Sequence, residues 1–84
     1  MSDRMADIRQ RVTRIVSEVS RIPEDQVASV DRFTDLEQWD SLLHLNVVLA
    51  LEGEFGVQFD IDEVTLINSV GEAVALVQRK APGT

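Results

Sequence analysis

One hydroxyl, one carboxylate and one imidazole stand close together in Trp39-Asp40-Ser41-Leu42-Leu43-His44. Ser41 and His44 are three residues apart, a spacing that makes neighbours on a helix, so nucleophilic catalysis is the first chemistry to weigh. It fails for want of accessory groups, because no Gly-x-Ser-x-Gly elbow or other oxyanion signature accompanies the pair. His44 is the only histidine in the chain. It falls on the inner face of the helix this segment opens, where a half-buried, hydrogen-bonded imidazole is expected. Metal binding fares no better. Asp60-Ile61-Asp62-Glu63 lacks the glycine and ligand spacing of an EF-hand and reads as acids at a helix start. What remains is a serine presented at a helix N-terminus beside an aspartate. As an N-cap it would contribute about 1 kcal/mol; as an exposed hydroxyl it suits modification better than catalysis.

The elements that position this serine are helices. Met5, Ile8, Val12, Ile15 and Val19 recur at helical spacing. They predict a first helix over about residues 3–20, capped by Ser2 or Asp3 and ended by Ile22-Pro23, because the residue before a proline is pushed out of helical dihedrals. Residues 21–40 show no sustained period. Ile22, Val27, Val30, Phe33 and Leu36 are spaced as anchors of a long loop, with one helical turn expected near Glu24 to Ala28. A second helix is expected from Ser41 to about Phe55, with Gly53 and Gly56 marking its end and Gly56 suited to a left-handed cap. Asp60 with Glu63, and Ser69 with Glu72, fit the capping-box pattern. They open a short third helix near 61–66 and a fourth near 70–80, with Val70, Val74 and Val77 as its buried stripe. The fold class is therefore all-α: one domain over residues 1–80, a small four-helix bundle with a short third helix and a long loop between helices one and two, and a tail at 81–84.

The segment Leu42 to Leu51 is apolar at every position except His44 and Asn46. At about 100° per residue, Val47, Val48, Leu51 and Phe55 share one side with His44, while Leu42, Leu45, Asn46, Leu49 and Glu52 fall on the other. A helix apolar all round is normally buried all round, yet a domain of 84 residues has few elements with which to enclose it. The long loop, through Phe33 and Leu36, is expected to cover part of the second face. Some of Leu42, Leu45 and Leu49 is expected to stay open as a contact patch.

Composition narrows the classes further. The apolar fraction is 44%, enough for a modest core, and there is no cysteine, which excludes disulfides, thiolate metal sites and a cysteine nucleophile. No signal sequence or spanning segment is visible, so a cytoplasmic protein with no membrane role is expected. The net charge is −7. From Phe33 to Gln78 there is no Lys or Arg but nine acids: Asp35, Glu37, Asp40, Glu52, Glu54, Asp60, Asp62, Glu63 and Glu72. That stretch would repel a phosphate backbone, which argues against nucleic acid, and would steer a partner carrying a basic patch.

These residues bear a family likeness. Asp40-Ser41-Leu42, then Leu51-Glu52-Gly53-Glu54-Phe55-Gly56-Val57, then Val70-Gly71-Glu72-Ala73-Val74 resemble the acyl carrier proteins over nearly the whole chain. The resemblance implies a carrier, not an enzyme, in which Ser41 bears 4'-phosphopantetheine joined through a phosphodiester by a phosphopantetheinyl transferase that uses coenzyme A. It also implies that Asp40 helps the transferase engage, and that acyl or aminoacyl groups are held as thioesters and passed between acyl-loading and acyl-transferring enzymes. The docking surface would be Leu42, Leu45, Asn46, Leu49 and Glu52. The usual Gly-x-Asp-Ser approach is here Glu37-Gln38-Trp39-Asp40-Ser41, and Leu43 and Asn46 stand where carriers of primary fatty-acid synthesis have acids. The Trp-Asp-Ser-Leu form with His44-Leu45 looks more like freestanding carriers of specialised pathways. Trp39 is expected to anchor the loop by packing, and the place of His44 at the bundle's mouth leaves room for a minor part in touching cargo. A monomer is expected, and the competing class is a helical interaction module that keeps this fold without carrying anything.

Overall fold

The computed structural model describes residues 4–80, which form five α-helices and one 3₁₀ turn, with no strand among the described residues. The helices are α1 (Arg4–Ser20), α2 (Glu24–Ser29), α3 (Ser41–Phe55), α4 (Ile61–Leu66) and α5 (Val70–Lys80), and the turn spans Phe33–Asp35. The expected caps Ser2 and Asp3, the side chain of Met5 and the tail at 81–84 lie outside the described residues. The bundle is all-α as the periodicity predicts. The single turn expected in the long loop is a six-residue helix, so the count rises from four to five.

The core sits where the apolar stripes of α1, α3 and α5 converge, and α1 packs against α2, α3 and α5. Val12 and Val16 of α1, Val47 and Leu51 of α3, and Ala73 and Val77 of α5 are all buried there. Each fully buried valine or leucine contributes about 1.5–3 kcal/mol relative to an exposed one. The stripe of α5 is wider than three valines predict, for Leu76 is buried with them.

The loop follows its anchors. Ile22, Val27, Phe33 and Leu36 are buried, and Val30 packs against them half-buried. Two polar ties fix this segment. The Ser17 hydroxyl donates to the Ile22 carbonyl at 2.6 Å, and the Phe33 N–H donates to the Asn68 carbonyl at 2.8 Å. The second tie fastens the approach to α3 onto the α4–α5 connection. Helix α1 stops in a left-handed residue, Arg21 at φ 62°, before the Ile22-Pro23 pair that its periodicity respects.

The helix ends largely obey their local signals. Gly56 takes the left-handed cap at φ 65° and its N–H donates to the Glu52 carbonyl; Gly53 lies inside α3 rather than at its end. Ser69 Oγ accepts the Glu72 N–H at 3.0 Å, while the Glu72 carboxylate reaches back to the Asn68 N–H at 3.1 Å. At the start of α4, Glu63 Oε1 accepts the Asp60 N–H at 2.8 Å and pairs with Lys80 of α5 at 2.9 Å.

These two contacts hold the Glu63 carboxyl below its ordinary value of 4.5, the Asp60 backbone bond first and Lys80 second. A depressed folded-state value stabilises the protein above the unfolded value and stops doing so as pH falls through the folded one. Glu63→Gln, which mimics the protonated acid, should therefore be less stable than wild type at neutral pH. Denaturant titrations at successively lower pH should show the gap closing below about pH 4.5. A gap that persists unchanged in acid would mean that shape, not charge, is at stake.

Candidate functional site

Helix α3 begins on a cap that the sequence reading assigns to the wrong residue. Asp40, not Ser41, is the N-cap: its backbone is extended at φ −141°, and its Oδ1 accepts the Leu43 N–H at 2.8 Å. Ser41 is the first helical residue. The physical reason is the side-chain carboxylate, which satisfies the N–H of the third helical residue, in the first turn, so that the serine hydroxyl need not. Ser41 is exposed, and its hydroxyl has no hydrogen-bond partner among the described residues. The N–H groups of Ser41 and Leu42 are the remaining first-turn donors without a helical acceptor.

Beside Ser41 lies a cavity of about 630 Å³. It is bounded by Thr34 and Trp39 of the loop, by Asp40, Ser41, His44 and Leu45 of α3 and its cap, and by Val64, Thr65, Ile67 and Asn68 around the end of α4. Trp39 is the anchor its type suggests. Its ring stacks on Phe33 with centroids 4.6 Å apart and meets His44 edge-on at 5.9 Å. The Trp39 indole N–H donates to His44 Nδ1 at 3.3 Å. An indole N–H can only donate, so Nδ1 accepts and the ring proton sits on Nε2, which donates to the Val64 carbonyl at 2.9 Å. His44 is half-buried and hydrogen-bonded on both nitrogens, with no bond to Ser41.

The two faces of α3 separate as the helical wheel predicts. Val47, Val48 and Leu51 are buried, and Phe55 is half-buried with the Arg11 guanidinium 4.5 Å above its ring. On the other side Leu42, Leu45 and Leu49 are 68%, 48% and 55% exposed, and Asn46 is exposed with them. Phe33 and Leu36 turn into the core and leave those leucines open. Glu52 stands apart from the rest of that face. It is half-buried, and its carboxylate accepts the Phe59 N–H at 2.8 Å, holding the α3–α4 connection. Sequence reasoning missed Thr34, Thr65 and Asn68 at the cavity and the exposed Ile61 (84%) and Leu66 on α4. The apolar run offers no signal for these, since α4 is too short to show a periodic face.

The acidic stretch is also less free than its composition suggests. Asp40 caps α3, Glu52 holds Phe59, Glu54 pairs with Arg11 at 2.7 Å, Glu63 pairs with Lys80, and Glu72 braces the start of α5. Five of the nine acids between Phe33 and Gln78 thus have local tasks. No helix among the described residues is long and apolar enough to cross a membrane.

Residues 10–77 match the family described as the phosphopantetheine attachment site. The chain is also 41% identical over 63 residues to the acyl carrier protein of Acidothermus cellulolyticus (strain ATCC 43068 / DSM 8971 / 11B), covering 75% of each chain. The protein belongs to the acyl carrier protein family. It is a carrier and not an enzyme, and its cofactor is 4'-phosphopantetheine. The start of α3 fits that group: an unengaged, exposed hydroxyl adjoins two helical N–H donors at the positive end of a 15-residue helix, where a phosphodiester is favoured.

The cap assignment makes a stability contrast. Asp40→Ala should cost about 1 kcal/mol, Asp40→Asn should retain most of that because asparagine also caps, and Ser41→Ala should stay within about 0.5 kcal/mol of wild type. Urea denaturation of the three variants reads the difference. Equal losses at Asp40 and Ser41 would contradict the observed cap.

Proposed function

We propose that Ser41 is the attachment residue, and that the holo protein presents an acyl or aminoacyl group to successive biosynthetic enzymes. The observation that carries this reading is the exposed, unbonded Ser41 hydroxyl at the first position of α3, beside an open cavity. A phosphopantetheinyl transferase would form the bond from Ser41 Oγ to phosphorus while the diphosphate link of coenzyme A breaks. The serine proton passes to a base of the transferase, and the nucleotide half of coenzyme A leaves. The arm supplies a terminal thiol, which this cysteine-free chain lacks, for holding cargo as a thioester. Asp40 would fix the start of α3 and help the transferase engage.

Interaction with modifying and acyl-handling enzymes follows from the carrier role. For the surface they meet we favour Leu42, Leu45, Asn46 and Leu49, because these residues are exposed along one face from Ser41. Glu52 would contribute less, since its carboxylate already holds Phe59. The same reading takes residues 1–80 as one carrier domain acting as a cytoplasmic monomer. The leucine at 43 and asparagine at 46 support service in a specialised pathway rather than primary fatty-acid synthesis, since partners that expect acids there would bind less well.

The deciding experiment is intact mass after incubation with coenzyme A, magnesium and a phosphopantetheinyl transferase. Wild type should gain one phosphopantetheine and Ser41→Ala none, with both folded by circular dichroism. Loading of the alanine variant would remove Ser41 from the site. Failure of the wild type to load with any transferase of its own organism would favour the non-carrying module.

Docking has a separate test. Leu45→Arg and Leu49→Arg should each lower the rate of acyl transfer to a partner enzyme by about tenfold, the scale of a docking anchor. Thermal stability should change little, since both side chains project from the core. If either variant unfolds, the leucines hold the fold and the docking assignment fails.

A further inference from the structure

We propose that the groove over Gly53, at the end of α3, receives an arginine side chain of the phosphopantetheinyl transferase, and that Gly53 is the residue that admits it. This deepens the docking assignment of Leu42, Leu45 and Leu49 and rests on it. Before the arm is attached, the transferase has only the protein surface by which to aim Ser41. Gly53 continues the leucine stripe, four residues beyond Leu49 on the same face of α3. There the helix borders an open groove of about 760 Å³, with Leu49, Glu52, Gly53, Gly56 and Lys80 among its walls.

The fold does not account for this glycine. Gly53 lies inside the helix without a left-handed backbone, and a Cβ added to it would meet nothing within 4 Å. In a helix interior glycine is less favourable than alanine. The position therefore gives up stability and leaves the floor of the groove bare. Gly56 differs, since its left-handed φ of 65° favours glycine for the sake of the cap.

The chemistry of the groove selects its occupant. The N–H groups of Gly56 and Val57 both go to the Glu52 carbonyl. The carbonyls of Gly53, Glu54 and Phe55 therefore accept no hydrogen bond from the described residues. They form the negative end of a 15-residue helix that has no basic residue in its last turn. The charged side chains around them are already engaged: Glu52 holds the Phe59 N–H, Glu54 pairs with Arg11, and Lys80 pairs with Glu63. What is left is a row of backbone acceptors beside the exposed Leu49. An arginine matches both, because its methylene stem can lie along the leucine while its planar fork of five donors spans several carbonyls. Recognition here runs through the backbone rather than through acidic side chains. Gly53 is also about 18 Å from Ser41 along the helix axis. Contacts at Leu42 and at Gly53 thus hold α3 at two separated points.

The test uses the full chain as substrate for its own organism's phosphopantetheinyl transferase, with coenzyme A and magnesium, as initial rate against carrier concentration. Gly53→Ala and Gly53→Leu should each melt a few degrees above wild type, since the new side chain favours the helix and meets nothing. Gly53→Leu should nevertheless raise KM for the carrier about tenfold, and Gly53→Ala about threefold, with kcat within about twofold. In ¹³C-labelled wild type, the carbonyl signals of Gly53, Glu54 and Phe55 should shift when the transferase is added. With ¹⁵N-arginine in the transferase, one guanidinium Nε–H should become protected on binding wild type and not on binding Gly53→Leu. An unchanged KM in both variants, or carbonyl and guanidinium signals that ignore binding, overturns the slot; the docking face then still stands or falls on Leu45→Arg. Variants that melt below wild type would show that the glycine serves the fold, and overturn it as well. A wild type that gains no phosphopantetheine overturns the carrier reading and this inference with it.

Discussion

The bond from the Leu43 N–H to Asp40 Oδ1, 2.8 Å long, sets the phase of everything that follows it. It decides where α3 begins, and so which residue is first in the helix and which direction each later side chain takes. Starting at Ser41, the helix turns Val47, Val48 and Leu51 towards α1 and into the common core and turns Leu42, Leu45 and Leu49 outward. The same bond relieves Ser41 of any capping duty. Had serine been the cap, its oxygen would already be committed to a backbone donor, and modification would cost the helix its start. With aspartate as the cap, the hydroxyl is expendable to the fold, the condition a modified residue in a small domain must meet.

The size of the chain accounts for the open face. A small bundle buries a smaller share of its surface than a large one, and α3 lies against α1, the 21–40 segment and, through His44, the short α4. Those elements cover one side of it. The segment that could have covered the other is tied elsewhere: the Phe33 N–H is bonded to Asn68 on the α4–α5 connection, and its ring is stacked on Trp39. The pinning that builds a wall of the cavity thus also leaves three leucines in water. Exposed apolar surface on an otherwise acidic protein is a liability for solubility and is retained most readily where something binds.

How much of this could be read from the residues varies with the range of the interaction. Helix α1, the stop before Pro23, the left-handed Gly56 and the caps at Glu63 and Glu72 are local events, governed by neighbours three or four residues away, and they were legible. The inward and outward faces of α3 were legible for the same reason, since a wheel needs only a start and a period. The choice between Asp40 and Ser41 as cap was not, because both types cap well and one residue of shift decides it. Helix α2 was reduced to a turn because Glu24 to Ser29 is too short to display a period. The cavity was invisible throughout: Thr34, His44 and Asn68 are brought together only by tertiary ties such as Phe33 to Asn68. Reading nine acids as a free field likewise overlooked that Glu54 and Glu63 have cationic partners 43 and 17 positions away, the first given directly by its bond to Arg11 and the second by the pair with Lys80.

That last point bears on how partners would tell this carrier from another. Surface ion pairs and braced carboxylates project a weaker field than their number implies, because a paired charge is partly cancelled and a capping carboxylate faces its own helix. Electrostatic attraction would then set the rate of encounter, while the choice among encounters falls to shape and apolar contact at Leu42, Leu45 and Leu49. The first turn of α3 serves both requirements from one short stretch. Asp40 fixes the helix, Ser41 is left free, Leu42 and Leu45 face outward, and His44 faces inward to close the cavity wall. A register slip of one residue would exchange these roles, which is why the cap and not the core is the narrowest constraint on the site.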